Sequence, residues 1–122
     1  MRFMMMVKTA EKNWGPPPKP LMDAIEKLSK ETGTMLDSGG LAPTAQGIRV
    51  RLSQGQVAVT DGPFTEAKEV IGGYAMFEFE SREEAIESTK RFMELHKKHW
   101  PGWEGETEIR QIFRKEDCFP RK

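Results

Sequence analysis

The sequence predicts an α+β fold: one antiparallel sheet, two helices that cross it, and a hairpin inserted between its strands. Three observations predict it. Apolar residues crowd or alternate in several short runs, as strands require. Two longer segments repeat their apolar residues at helical spacing. Glycine and proline punctuate the boundaries between them.

Residues 2–8 read as the first strand, because Phe3, Met4, Met5, Met6 and Val7 follow one another without a break. "EKNWGPPPKP" is a loop by its glycine and four prolines, with Trp14 inside it. From Leu21 to about Thr32, Leu21, Ile25 and Leu28 recur at helical spacing, and Gly33 offers the stop. "TMLDSGGLAP" continues as an extended segment. "IRVRL" and "QVAVT" alternate on either side of Ser53-Gln54-Gly55, which is a hairpin signal. "GGYAMFEFE" is the clearest strand, with Ala75, Phe77 and Phe79 on one face and Tyr74, Met76, Glu78 and Glu80 on the other.

Ser81-Arg82-Glu83-Glu84 has the form of a capping box and opens a second helix. Ala85, Ile86, Phe92, Met93 and His96 share a broad face of it, and Lys97 and Lys98 near its end suit the helix dipole. "HWPGWEG" ends the helix and "TEIRQIF" supplies a last strand. The order is strand, helix, strand, hairpin, strand, helix, strand, which is a ferredoxin-like sandwich. Right-handed crossovers put both helices on one face. The first strand is nevertheless apolar on both of its faces, and a strand of that kind is normally covered twice. A second copy of the sheet would supply the cover, giving a two-fold dimer. Alternatively, the hairpin folds over Met4 or Met6.

The bulk numbers exclude several classes. A chain of 122 residues is one domain, here 1–122, able to bury roughly two-thirds of its unfolded surface. Nineteen basic and nineteen acidic residues balance, so no basic excess calls for nucleic acid. The longest N-terminal apolar run, Phe3 to Val7, is too short for a membrane span or a signal segment. A single cysteine, Cys118, excludes an intramolecular disulfide and suits a reducing, cytoplasmic setting.

Together "VAVTDGPFTEAKEVIGGYAMFEFESREEAIE", the "GLAPT" segment and "VRLSQGQVAVTDGPF" strongly resemble the DGPF group of YCII-related proteins. The resemblance implies a dimeric α+β barrel. It implies little about a reaction, although some relatives are small-molecule enzymes. DGPF-type members are also commonly encoded beside extracytoplasmic-function sigma factors. Relatives with a proposed catalytic dyad carry a histidine on the first helix. Here that helix reads "LMDAIEKLSKETG", with Met22 near the place.

Asp61 is the candidate catalytic residue. It ends a strand in "TDGPF", where its carboxylate either fixes an Asx-type turn or is aimed at a ligand as general base or acceptor. Gly62 suits the conformation required before Pro63, and Gly72-Gly73 allow neighbouring backbone to come close. The candidate ligand contacts are Tyr74, Asp37, Arg49 and Trp14. Tyr74 is also read as a packed ring with a satisfied hydroxyl, and Asp37 as a strand-edge or turn residue. Arg49 and Arg51 face one way together, toward solvent or an anionic ligand. Trp14, Trp100 and Trp103 either close over a pocket or anchor loops.

His96 and His99 stand three apart, but no third His or Cys is near in sequence, so they read as helix-end residues and no metal is expected. No phosphate loop, dinucleotide fingerprint or Ser-His-Asp signature appears, and no cofactor is expected. The first functional expectation is a homodimer that binds a small organic molecule in a cleft lined by the open sheet face, with acid–base chemistry at Asp61. The second is a non-catalytic interaction module, an accessory to a sigma factor.

Overall fold

The computed structural model describes residues 1–11, 15–64 and 69–115. Trp14 and Cys118 lie outside them. The elements follow as β1 (Arg2–Thr9), α1 (Lys19–Ser29), β2 (Thr34–Gly40), a 3-10 turn (Thr44–Gln46), β3 (Ile48–Ser53), β4 (Gln56–Asp61), β5 (Val70–Glu78), α2 (Arg82–His99) and β6 (Glu106–Gln111). β2, β5, β1 and β6 form one sheet in that spatial order, with every pairing antiparallel. β3 and β4 pair with each other in a separate two-stranded sheet. The architecture is α+β, compatible with a ferredoxin-like fold.

Alternation along β1 and β5 decides what is inside. Phe3, Met5, Phe77 and Phe79 are buried and cluster with Ala85 of α2. The Phe77 and Phe79 rings stack at 5.2 Å between centroids, and Phe3 tilts against Phe79 at 6.2 Å. α1 buries Leu21 and Leu28, seven residues apart and so nearly two turns along one face. Leu21 is fully buried, worth roughly 1.5–3 kcal/mol of transfer free energy.

The helix ends follow local chemistry. α2 starts where the Ser81 hydroxyl accepts from the Glu84 amide at 3.1 Å. Glu83 and Glu84 occupy its first turn and basic side chains its last, as the macrodipole favours. α1 stops at Ser29, a few residues before the glycine expected to stop it. Lys30 caps it by donating back to the Lys27 carbonyl, and Gly33 takes the chain into β2 with φ +67°.

On the other face of the sheet, Met4 pairs with Met76 and Arg110, and Met6 with Tyr74 and Glu108. Met4, Met6 and Met76 are half-buried. Ion pairs bracket this row: Arg2 with Glu78 at 3.1 Å, and Lys8 with Glu108. Arg2 holds the Glu78 carboxyl below its ordinary range, as Lys8 does for Glu108. Among the described residues no helix is long and apolar enough to cross a membrane.

Candidate functional site

The helices do not close tightly over the whole sheet. Toward the C-terminal end of β1 a cavity of about 760 Å³ separates the two layers. Met5, Val7, Ala75 and Phe77 form its floor, and α1 contributes Met22, Ile25 and Leu28. From α2 come Ser88, Phe92 and His96, and from the following turn Trp100 and Trp103. At the edge the wall is bare backbone, from Gly39, Gly40, Gly72 and Gly73. β2 is exposed along its whole length, so Met35 borders the cavity without covering it. This hollow lies on the helix side of the sheet, whereas the sequence suggested a cleft on the open side.

His96 is expected from the sequence both on the broad face of α2 and as a helix-end residue, and the structure shows how far that face is enclosed. The structure buries it to 7% exposure, on the α2 face that also carries Ala85, Ser88 and Phe92. The spacings from Ala85 to Phe92 and on to His96, seven and then four, place it on that face. Three aromatic rings box it in. Phe92 lies at 4.6 Å, Trp103 at 4.5 Å and Trp100 at 6.4 Å between centroids. Both indoles return to the histidine because the turn after α2 is tight: the Trp100 backbone amide donates to the His96 carbonyl at 2.8 Å and the Trp103 backbone amide to the Trp100 carbonyl at 3.1 Å.

The tautomer of His96 follows from its partner. Nδ1 is 3.0 Å from the Phe92 carbonyl oxygen, which only accepts, so Nδ1 carries a proton. Burial among rings pushes the imidazole pKa down, against a smaller upward effect of that hydrogen bond. The ring is therefore neutral at pH 7, and Nε2 holds a lone pair. His99, three residues on, is only half-buried. Among the described residues no three of His, Cys, Asp and Glu come together as a metal site.

Two of the expected ligand contacts meet. The Tyr74 hydroxyl donates to Asp37 Oδ2 at 3.2 Å, and the Ser38 amide donates to Asp37 Oδ1 at 2.9 Å. The carboxylate beside it raises the phenol pKa, so Tyr74 keeps its proton. The ring lies over Gly39, where a Cβ would sit 3.1 Å from Tyr74 Cε1. Tyr74 belongs to the cavity wall, although alternation with Ala75 turns its ring to the open face.

Asp61 and Arg49 lie elsewhere. Asp61 ends β4 opposite Ile48, exposed and outside the residues that line the cavity. Arg49 is one residue along β3, on the other face of the hairpin, with its guanidinium 3.7 Å above the Phe64 ring. Gly62 is explained by crowding: a Cβ there would stand 1.7 Å from the Thr44 carbonyl oxygen, and its amide donates to the Gly47 carbonyl at 2.9 Å. The "DGPF" corner thus fastens the hairpin base to the 3-10 turn. The hairpin itself has one apolar face, made of Ile48, Val50, Leu52, Val57 and Val59, each 65–72% exposed, with Asp61 at its edge.

Comparison with known proteins gives a family and no chemistry. The family model for the YCII-related domain matches residues 1–100. A curated relative from Rhizobium meliloti (strain 1021), itself described as uncharacterised, is 32% identical over 66 residues, covering 54% of this chain. The chain spans about half of that relative's length, 53%.

Proposed function

The chain belongs to the YCII-related family, and from that premise we propose that it binds a small, mainly apolar organic molecule between its helices and sheet, as one half of a homodimer. The observation that carries this reading is the cavity. Its volume of about 760 Å³ falls within the roughly 300–1,000 Å³ usual for small-molecule sites. Its lining has the usual composition too, with methionine, leucine and aromatic side chains around a few polar atoms. A thermal-shift screen of apolar and aromatic compounds tests it. A compound at a hundred times its Kd should add about 2.7 kcal/mol, a rise of roughly ten degrees in Tm. A screen in which no such compound raises the Tm would defeat the reading.

The homodimer rests on the open sheet face. Met4, Met6 and Met76 form an apolar centre, and the ion pairs of Glu78 and Glu108 form a polar rim. That is the layout of a protein interface. Light scattering at micromolar concentration should give twice the chain mass, and a stable monomer would refute it. An acid–base role for Asp61 enters this reading only through the hairpin, since its carboxylate must be brought to the ligand by the way two copies associate. Asp61→Asn supports that role if binding falls about tenfold at unchanged Tm, and removes it if binding holds.

A second reading is favoured by the hairpin. An exposed apolar face rimmed by polar residues is the mark of a protein contact. In this reading the chain is a non-catalytic interaction module, a sigma-factor accessory being the case its family suggests. An unresponsive thermal-shift screen together with a hairpin-dependent complex would select it.

A further inference from the structure

We propose that His96 Nε2 is a built hydrogen-bond acceptor for the cavity's ligand, which is then a neutral aromatic molecule carrying one O–H or N–H donor. The inference rests on the cavity reading above and adds the chemistry of its occupant.

Three observations place the acceptor. His96 is 7% exposed, so it is no ordinary surface histidine. Its Nδ1–H is committed to the Phe92 carbonyl, which leaves Nε2 as the acceptor. Among the described residues Nε2 has no hydrogen-bond partner, yet no side-chain nitrogen or oxygen is sealed from solvent without one. The Nε2 edge therefore opens on a hollow rather than into packed protein.

His96 stands in the wall of two hollows, the apolar cavity and a second of about 710 Å³ beyond the end of α2. Glu69, Lys97, Glu104 and Glu106 border the second, where charged groups and water are at hand. In the apolar cavity a lone pair is expensive to leave unmatched, so there it selects its occupant. Rings of Phe92, Trp100 and Trp103 stand around the imidazole, offering edge-to-face and stacked contacts to a flat molecule. A carboxylate is disfavoured because it offers no proton to Nε2, and a phosphate because the rings give an anion no counter-charge.

The test uses two compounds of nearly equal shape, 2-naphthol and 2-methylnaphthalene, titrated calorimetrically into the full chain. Wild type should bind the naphthol five- to tenfold more tightly, the scale of one hydrogen bond that would otherwise go unmade. His96→Phe should bind both alike, with the hydrocarbon's affinity kept. Should His96→Phe fold poorly, the ¹⁵N resonance of His96 Nε2 in wild type gives a separate reading. It should move with 2-naphthol and stay with 2-methylnaphthalene. Equal affinities in wild type, a preference that survives His96→Phe, or an unmoved Nε2 resonance would overturn the role of His96 and leave the cavity reading standing. Failure of both compounds to bind would overturn the two together.

Discussion

The sheet and the hairpin are built from the same kind of strand, and their fates are opposite. In β1 and β5 the apolar residues at alternate positions end at 3–7% exposure, as Phe3, Met5 and Phe77 do. In β3 and β4 an equally regular alternation leaves Val50, Leu52 and Val59 at 67–72%. Alternation specifies a strand and a greasy side. It does not say what the greasy side meets, which for the sheet is α1 and α2 and for the hairpin is nothing within the described chain.

The comparison breaks most visibly in the core. Phe79→Ala should cost about 3–5 kcal/mol of unfolding free energy in a urea titration, because the Phe3 and Phe77 rings packed against it would border the void. A loss below about 1 kcal/mol would mean that this core is loosely packed. Next in size is the open face. Met6→Lys places a charge at the centre of the proposed dimer and should raise its dissociation constant about a hundredfold by light scattering, while the monomer keeps its circular dichroism. An unaffected dimer would move the interface to the hairpin.

Acid should act on the site more gently. Folding lowers the His96 pKa, so the unfolded chain takes up a proton that the folded chain refuses. Stability is whole above the ordinary histidine value of about 6.5 and falls as pH drops from there toward the folded value, by at most about 1.4 kcal/mol per pH unit. His96→Phe should remove that component from a urea-denaturation series run at stepped pH. The smallest effect belongs to the hairpin. Val59→Thr should change the unfolding free energy of the chain by less than about 0.5 kcal/mol, since the side chain is already in water. A larger loss at protein concentrations that favour the dimer, and not at high dilution, would show that association covers it.

The order of the elements was legible because each strand or helix announces itself locally. Phe3 to Val7 is an unbroken apolar run, Ala75 to Phe79 alternates openly, and Ser81 supplies a cap that the structure uses. β2 was harder: "TMLDSGG" has no apolar alternation to speak of, and it is a strand because β5 offers it an edge. The Tyr74–Asp37 bond was out of reach, since it joins residues 37 positions apart across a bulged register. His96 was half-legible. Its place on the apolar face of α2 could be counted, but a histidine in the last turn of a helix also satisfies the dipole, and sequence gives no view of the rings that shut it in. Gly62 meets a second constraint beside the proline that follows it, which sequence could not show because the Thr44 carbonyl that crowds it comes from another segment.

The bare backbone at the cavity's edge makes its size adjustable. Gly40 pairs with Gly73 and follows the register Ser38–Ala75, so a side chain at Gly40 would point the same way as Phe77, into the hollow. A methyl there would sit 3.9 Å from the Gly72 carbonyl oxygen, an ordinary contact, and alanine suits an extended strand better than glycine does. The chamber can therefore be narrowed one carbon at a time without disturbing the sheet that bounds it. A protein so arranged can trade one ligand for a slightly smaller one by a single substitution, far more cheaply than by reshaping its core.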